Sequence, residues 1–417
     1  MAAAVKDREA LYKLIISQLR YDGYENVASS LVKTVAGSLT TCAPSSRLAH
    51  IVSLGQKAEG ESGYGNVSSS SLPTPSTSGI DLEFGHDSSL NVPPICDYET
   101  ISIIPHKGQC TAATFSPDGR LAATGSYDTS IKIIDVERAV AKGSQGAQHD
   151  LYPIVRTLYD HMESVTCIEF HPMAPFIASG SDDCTIKFFE FTKPSVKRAF
   201  RFIQEVVPVR CMAFHPSGDF LVVGTEQSTI RLYDVNSLQC FVSSNPRDQH
   251  TGPITSVKYT PTGKLYATSS KDGSVKLWDG VSNRCVNVFP NSHGTTEVSS
   301  VAFSKNSKYL LTCGKDSLAN LWEISTGRII NSYKDAMQSH CRSQAVFNHT
   351  EDWVIMPDEK TSCVHSWDSR TAEKANPLSS GHSYPIRCIV HSPSLPAFIT
   401  CSDDHRARFW CNLRSLQ

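Results

Sequence analysis

The sequence predicts an all-β fold built from repeats, and three observations lead to that prediction. A single pattern recurs, in which a hydroxyl residue, a tight turn with an acidic residue and an alternating strand lead to an aromatic residue, as in TSSKDGSVKLWDG at 268–280. Turn signals such as S-P-D-G separate the short alternating runs. The copies follow one another at intervals of 55, 44, 45, 44, 45 and 43 residues, a spacing typical of stacked repeat units. The residues that mark this spacing are Ile134, Phe189, Tyr233, Trp278, Trp322, Trp367 and Trp410.

The composition places the chain among ordinary soluble proteins. Of its 417 residues 40% are hydrophobic and 19% charged, and 39 basic against 41 acidic residues leave a net charge of −2. A protein that binds a phosphate backbone over much of its surface would carry a basic excess. The 14 cysteines include no C-x-x-C pair, which predicts reduced thiols in a cytosolic or nuclear protein. No apolar run reaches membrane-spanning length, so we expect no membrane contact.

Residues 1–55 are predicted to form a small α-helical dimerisation domain. Apolar residues recur at helical spacing in 7–20 and again after Gly23, a residue that suits a helix end. A hairpin of this size cannot bury such a face by itself, so we expect a second copy of the chain to cover it. The predicted dimerisation residues are Leu11, Leu14, Ile15, Leu19, Val27 and Leu31.

The rest of the chain divides into two parts. Residues 56–94 are rich in Ser, Gly and Pro and have few apolar anchors, which predicts a flexible linker. Residues 95–417 hold all the repeats, and the single long interval coincides with a polar insert at 139–151 that we expect to be an exposed loop.

A histidine precedes the tryptophan at a nearly constant distance in the best copies. The separations are 28, 29 and 28 residues, with a hydroxyl and an aspartate in between. Ser/Thr, His and Asp also make hydrolase triads, but catalysis needs one exposed constellation rather than several similar copies. We therefore predict a buried structural network in each blade that keeps these residues. Its members are His250, Thr268, Asp272 and Trp278, then His293, Thr312, Asp316 and Trp322, then His382, Thr400, Asp404 and Trp410.

Other copies depart from this pattern. The first two keep the histidine, hydroxyl and aspartate but have Ile134 and Phe189 in place of tryptophan. In the third copy the whole set is missing, since Tyr233 has no histidine at the matching distance upstream. The sixth keeps His340 and Trp367 around an irregular turn.

With these motifs, 95–417 resembles the WD-repeat β-propellers, which implies seven four-stranded blades. Only six residues follow the last repeat motif, so we expect 97–104 to supply the missing outer strand and to close the ring. Small residues occupy one column of the inner strands, which suits crowding around a central channel. The sequence contains no H-E-x-x-H, G-x-S-x-G or P-loop pattern, so we predict no enzyme activity, no cofactor and no metal.

The segment LYKLIISQLRYDGYENVASSLV resembles LisH-like dimerisation hairpins, and the full chain resembles the WD-repeat subunits of the cleavage stimulation factor. That resemblance implies a nuclear, non-enzymatic scaffold subunit in the 3′-end cleavage and polyadenylation of messenger RNA precursors. It implies a homodimer whose propeller holds the HAT-repeat scaffold subunit, with contact to the C-terminal domain of RNA polymerase II. RNA would be bound by another subunit, so contact of this chain with RNA would be indirect.

Two other functions fit a propeller. One is a ubiquitin-ligase substrate receptor, which would hold a degron. The other is direct RNA binding, for which KPSVKRAFRF at 193–202 supplies basic residues beside two phenylalanines.

The propeller face that carries the histidine-bearing connections is the candidate partner-binding surface. The residue before the turn aspartate is acidic in blades 2 and 3 and a lysine in blades 4 and 5, which predicts a polarised rim. The candidate rim residues are Tyr127, Asp182, Arg210, Glu226, Lys271, Lys315, Arg387 and Asp403.

Overall fold

The computed structural model describes residues 97–144, 152–192, 197–339 and 344–413. The described strands form seven antiparallel sheets, and the inner strands of neighbouring sheets lie side by side around a central channel. This confirms the predicted seven-bladed propeller. The six predicted dimerisation residues, and the boundaries at 55 and 94, lie outside the described residues. In the part that the structure describes, no helix has the length and apolar character needed to cross a membrane.

The strands of blades 1 to 3 run from the channel outwards in chain order. Blade 1 consists of Cys110–Phe115, Leu121–Ser126, Ser130–Asp135 and Ile154–Tyr159. Blade 2 consists of Val165–Phe170, Phe176–Ser181, Thr185–Glu190 and Arg201–Gln204. Blade 3 consists of Val209–Phe214, Phe220–Thr225, Arg231–Asp234 and Cys240–Phe241.

The inner strand again comes first in each of the remaining blades. Blade 4 consists of Ile254–Tyr259, Leu265–Ser270, Val275–Asp279 and Cys285–Phe289. Blade 5 consists of Val298–Phe303, Tyr309–Gly314, Ala319–Glu323 and Arg328–Tyr333. Blade 6 consists of Val346–Phe347, Trp353–Pro357 and Val364–Asp368. Blade 7 consists of Ile386–His391, Ala397–Ser402, Arg406–Cys411 and Glu99–Pro105.

The outer strand of blade 7 comes from the beginning of the propeller. Glu99–Pro105 pairs antiparallel with Arg406–Cys411, from Glu99 opposite Cys411 to Pro105 opposite Arg406. The predicted closure of the ring by 97–104 is therefore confirmed. Ile104 on this strand is fully buried in a core cluster with Phe409 and Cys411, so the closing strand shares the apolar core of the blade it completes.

Blade 6 departs from the expected four strands. Its outer position holds only two isolated bridges, Val364 to Leu378 and Trp367 to Lys374. Pro377 lies between them in the chain, and a proline has no N–H to donate to a ladder. The fourth strand of this blade is therefore reduced to single contacts.

The insert between the third and fourth strands of blade 1 is also different from the prediction. Its first part continues the third strand into a helix, Val136–Ser144, in which Val136 and Ala139 are buried against the closing strand region. The expected exposed loop at 139–151 is wrong for this part. Residues 145–151 lie outside the described residues.

A register shift after the first residue marks the inner strand in six of the seven blades. The shift widens the spacing there and increases the local twist. The predicted small-residue column follows this point, and all seven of its members line the channel: Ala112, Cys167, Cys211, Ser256, Ser300, Gln344 and Cys388.

Apolar side chains fill the spaces between blades. Val222 and Leu232 of blade 3 pack against Ile254 and Trp278 of blade 4 in a single cluster. Trp278 is stacked on Tyr266 of its own blade, with ring centroids 5.8 Å apart. Each blade therefore covers one face of the next, as a repeat fold requires.

Candidate functional site

The top face of the propeller is the end at which the second strand of each blade turns into the third. The connection that enters each inner strand arrives at the same end, because adjacent strands are antiparallel. In blades 1, 2, 4, 5 and 7 this arrangement brings a histidine of the connection next to the turn aspartate of the same blade.

Blade 4 has the complete network. His250 Nδ1 lies 3.2 Å from Asp272 Oδ2, and His250 Nε2 lies 2.8 Å from the hydroxyl of Thr268. The indole N–H of Trp278 donates to the same hydroxyl at 2.9 Å. The side chain of His250 is fully buried, so the network seals the contact between the connection and the blade.

Blades 5 and 7 repeat this arrangement. His293 lies 2.9 Å from Asp316 and 2.8 Å from Thr312, and the indole of Trp322 donates to Thr312 at 2.9 Å. In blade 7 the corresponding distances are 2.8, 2.9 and 3.0 Å for His382–Asp404, His382–Thr400 and Trp410–Thr400.

The donors and acceptors fix where the protons lie. The ionised carboxylate of Asp272 can only accept, so the single ring proton of a neutral His250 is assigned to Nδ1. Nε2 then accepts from the hydroxyl of Thr268, whose oxygen in turn accepts from the indole N–H of Trp278. The chain of bonds runs in one direction, from indole to carboxylate.

The pKa values follow from burial and from these bonds. Burial acts to raise the pKa of Asp272, but hydrogen bonds from His250, Ser274 and Thr251 outweigh it and hold that pKa well below its usual value. Burial lowers the pKa of His250 despite the hydrogen bond to Asp272. A neutral histidine beside a carboxylate is thus the stable state near neutral pH.

Blades 1 and 2 keep three of the four groups. His161 lies 2.9 Å from Asp183 and 2.7 Å from Ser179. In blade 1, His106 Nε2 bonds to Thr124 at 3.0 Å, but Nδ1 meets Ser130 at 3.1 Å and Asp128 only at 3.7 Å.

Blade 3 contains a buried carboxylate that the histidine pattern does not reveal. Glu205 is 4% exposed, accepts a 2.6 Å hydrogen bond from the hydroxyl of Tyr233 and is ion-paired with Arg231. It lies 28 residues before Tyr233, the interval that separates His250 from Trp278. The 28-residue interval therefore marks the position of Glu205 in the sequence, but a pattern that accepts only histidine at this position does not detect it.

In blade 6 the predicted His340 lies outside the described residues. The connection reaches the irregular turn through other groups: the Gln338 amide donates to the Pro357 carbonyl at 3.0 Å, and the backbone N–H of Met337 donates to Asp358 at 2.7 Å.

Three predicted rim residues meet at the junction of blades 2 and 3. Arg210 Nη1 donates to Asp182 at 2.7 Å, and its Nε donates to Glu226 at 3.0 Å. Arg210 is the second residue of its inner strand, where blades 1, 2 and 4 carry threonines that bond to the carbonyl of the next blade at 2.5 Å. The arginine thus takes the place of a hydroxyl and neutralises much of the acidic part of the rim.

The other rim residues are distributed around the ring. Arg387 holds Asp403 through its Nε at 2.9 and 2.8 Å, and Lys315 pairs with Glu297 at 3.0 Å. Lys271 is exposed. These pairs make the rim less polarised than the sequence predicts.

A depression of about 330 Å³ lies at the centre of the top face. Tyr127, which is 64% exposed, and Asp182, Arg210 and Arg387 line it together with Thr, Ser and Gln side chains. Glu226, Lys271, Lys315 and Asp403 do not line it. Four of the eight predicted residues are therefore brought to one site, which offers guanidinium, carboxylate and aromatic groups to a partner.

The network groups cannot act as a hydrolase triad in this arrangement. Thr268, Thr312 and Thr400 are at most 1% exposed, so no substrate reaches their hydroxyls. Among the described residues, no cluster of three or more His, Cys, Asp or Glu side chains could hold a metal ion.

Two family profiles match the chain. Residues 3–60 match the family described as the dimerisation domain of cleavage stimulation factor subunit 1. The family described as the WD domain, G-beta repeat, matches 98–135, 153–190, 203–234, 241–279, 283–323 and 375–411. Blade 6 falls between the last two matched ranges, in agreement with its reduced outer strand.

Similar proteins include "Cleavage stimulation factor subunit 50" of Arabidopsis thaliana, which is 41% identical over 411 residues, covering 96% of this chain and 95% of the relative. "Nuclear distribution protein nudF" of Aspergillus niger is 24% identical over 182 residues, 40% of each chain. The nudF protein of Emericella nidulans is 30% identical over 137 residues, 33% of this chain and 30% of the relative.

Proposed function

The chain belongs to the family of cleavage stimulation factor subunit 50, and from this premise we propose that it is a non-enzymatic scaffold subunit of the cleavage stimulation complex. The 41% identity over 96% of the chain carries the proposal, because it extends through the N-terminal domain as well as the propeller. The complex acts in pre-mRNA 3′-end cleavage and polyadenylation, which places this subunit in the nucleus.

The proposed division of labour follows the proposed domains. Residues 1–55 dimerise, 56–94 act as a flexible linker, and 95–417 bind partner subunits. The match of 3–60 to a dimerisation domain supports a homodimer. The expected contacts are the HAT-repeat scaffold subunit and the C-terminal domain of RNA polymerase II, with RNA sequence read by another subunit.

We assign the HAT-repeat subunit to the top rim. The central depression combines the exposed ring of Tyr127 with two arginines held in place by carboxylates, and such fixed arginine and aromatic anchors account for most of the affinity in interfaces. Lys271 and Lys315, further from the centre, would mainly set the rate of association.

Binding kinetics with the purified HAT-repeat subunit test this assignment. Changing Lys271 and Lys315 to Glu should slow association and flatten its salt dependence, while Arg387→Ala should speed dissociation. The matched control changes Lys264 and Lys308 to Glu, since these exposed lysines lie on the opposite face of the same two blades. If the rim variants and the control have equal kinetics while folded, the binding surface lies elsewhere on the protein.

The dimer is tested separately. Leu14→Asp with Leu31→Asp should give monomers that keep a folded propeller, as measured by light scattering and circular dichroism. A wild-type chain that is monomeric at micromolar concentration would contradict the dimer.

The substrate-receptor alternative predicts a cullin adaptor among the proteins that co-purify with the endogenous chain. Mass spectrometry of the purified complex distinguishes it from the cleavage stimulation assembly.

A further inference from the structure

The outer strands of blades 1 and 2, together with the segments that lead into them, expose aromatic and basic side chains that we call the outer strip. Tyr152, Tyr159, Phe200 and Phe202 are 74%, 50%, 51% and 61% exposed, although aromatic rings of this size are normally covered. Lys197, Arg198 and Arg201 lie between and beside them and are exposed. The outer strip consists of Tyr152, Tyr159, Lys197, Arg198, Phe200, Arg201 and Phe202.

Hydrogen bonds connect the two blades beneath the strip. The backbone N–H of Tyr159 in blade 1 reaches the carbonyl of Lys197 at 3.4 Å. The Arg156 guanidinium donates to the carbonyl of Thr192 at 3.1 Å, and the N–H of Ala199 donates to Asp160 at 3.2 Å. These bonds fix the backbone that carries the strip to blade 1.

The strip covers both faces of the outer edge of blade 2. Phe202 lies opposite Lys187 in the strand register, whereas Arg201 lies opposite Phe188 on the other face, together with Phe200.

The strip carries local positive charge in a chain whose net charge is −2. Within the described ranges, Lys197 and Arg198 have no ion-pair partner. The guanidinium of Arg201 donates to two backbone carbonyls, of Val235 at 3.3 Å and Asn236 at 3.0 Å. The nearby carboxylate of Asp160 is already paired with Lys187 at 3.5 Å, so the cationic character of the strip is not cancelled there.

A groove of about 380 Å³ begins beside Phe200 and lies between blades 2 and 3. The rings of Phe176 and Phe188 form its wall, and the centroid of Phe176 is 5.7 Å from that of Phe200 in an edge-to-face arrangement. Glu190 and Asn236 line its polar side. The groove is large enough to receive one unstacked base, with hydrogen-bonding groups at its edge.

We propose that the outer strip binds single-stranded RNA without regard to base sequence. Bases stack on Phe200 and Phe202 and phosphates pair with Lys197 and Arg198, the combination of ring platforms and cations found in single-strand grooves. An acidic peptide would use the charges alone and would leave four half-exposed rings unexplained. The proposal goes beyond the proposed function, in which another subunit reads the RNA sequence; the choice of RNA over DNA rests on that function.

The test measures fluorescence anisotropy of a labelled oligouridine of about 12 nucleotides, within the site sizes of such grooves, with the full chain. Titrations between about 50 and 200 mM KCl give the salt slope. Changing Lys197 and Arg198 to Glu should weaken binding at least tenfold and reduce the slope of log affinity against log salt by about 1.4, for two lost phosphate contacts. Phe202→Ser should weaken binding between about 5-fold and 150-fold, the equivalent of one lost stacking contact, and leave the slope unchanged.

Matched controls lie on other blades. Arg284→Glu with Arg328→Glu reverses two exposed charges on the outer edges of blades 4 and 5, and Phe241→Ser removes an exposed ring from blade 3. These variants should bind as the wild type does. Alanine at 197 and 198 provides a milder charge variant whose melting transition must match the wild type.

Four results would overturn the proposal. The first is no binding by the wild type at low salt, and the second is equal losses in strip and control variants. The third is competition by polyglutamate with no effect of Phe202→Ser, which would indicate an acidic peptide site. The fourth is a preference for oligodeoxythymidine, which would reject RNA as the ligand. Assembly of the strip variants with the HAT-repeat subunit is measured separately. Normal assembly without RNA binding would reject the RNA proposal alone, whereas loss of assembly by the wild type would reject the proposed function.

Discussion

In blades 3 and 4 different buried polar groups fix the incoming connection to its blade. In blade 4 a neutral histidine connects a hydroxyl and an indole to Asp272, and in blade 3 a carboxylate, Glu205, bonds directly to Tyr233 and to Arg231. Each set is buried and each leaves the connection fixed to its blade. In these two blades a satisfied polar group 28 residues before the aromatic residue fixes the connection, and that group need not be a histidine.

The two blades should differ in how much the free energy of unfolding falls when one side chain of the buried set is truncated to alanine. Removing Glu205 leaves the hydroxyl of Tyr233 without its acceptor, and it leaves the guanidinium of Arg231, which is 17% exposed, with only the amide oxygen of Gln227. Losing the charge partner of a mostly buried cation is the more expensive loss. Glu205→Ala should therefore lower the free energy of unfolding by about 3–5 kcal/mol in denaturant titrations.

The control for Glu205 is Glu226→Ala, in the same blade. Its carboxylate is paired with Arg210 but is 43% exposed, so the expected loss is about 0–1 kcal/mol. Equal losses for the two glutamates would show that blade 3 does not depend on its buried carboxylate.

The neutral network of blade 4 should be less costly to interrupt. Asp272→Ala removes the acceptor for His250 and Thr251, and the expected loss is roughly 1–3 kcal/mol for buried groups left unpaired. Gln227→Ala, at the matching position of blade 3, should cost much less because the Gln227 side chain is exposed and accepts its hydrogen bond from Arg231 at the surface. Similar shifts in melting temperature for both variants would contradict a structural role of the network.

Histidines without an acidic partner should respond differently to acid. His349 and His391 are stacked with ring centroids 5.5 Å apart, and burial, with Lys305 nearby, lowers their pKa to about 4 and about 3. The unfolded chain binds these protons near pH 6.5, above the native pKa, so stability falls as the pH drops below 6.5. His391→Phe should reduce the loss of stability between pH 7 and 5 by roughly 1–2 kcal/mol. An unchanged pH dependence of unfolding would exclude His391 as a source.

The smallest expected effect is the difference in stability loss between matching threonine variants of blades 4 and 1. Thr268 serves both His250 and Trp278, whereas Thr124 bonds to His106 and has Ile134 in place of an indole. Thr268→Val should therefore be more destabilising than Thr124→Val by about 1 kcal/mol, the value of one further hydrogen bond. Thermal unfolding of the two variants measures it, and a larger cost in blade 1 would reverse the interpretation.

Much of the fold could be predicted because the same short strand and turn pattern recurs in seven copies, although one copy alone would be a weak indication. The 28-residue interval located the network of blade 4, and the short last repeat located the closing strand. Glu205 was missed because the interval predicts a position and not a residue type, and only histidine was expected there. The helix Val136–Ser144 was missed because its polar insert matches no repeat, and its buried face depends on the closing strand.

The candidate site was harder to predict than the fold. Arg210 was placed on the rim, but its bonds to Asp182 and Glu226 cross a blade boundary, and the repeat pattern says nothing about side chains of different blades. The same holds for Lys258 of blade 4, which is ion-paired with Glu169 of blade 2 within the channel. Contacts of this kind depend on the closed ring.

The ring is closed by pairing the first strand of the repeat region with the last one. Pro105 and Arg406 are neighbours in space but are separated by 301 residues of chain. Loop closure over such a length is entropically unfavourable, and long-range strand pairing of this kind is intrinsically slow. During synthesis the edge of Glu99–Pro105 has no partner until Arg406–Cys411 has left the ribosome, so the nascent propeller exposes an unpaired strand for nearly the whole period of its translation. Exposure of an unpaired strand edge during synthesis is thus a direct consequence of joining the ring with strands from opposite ends.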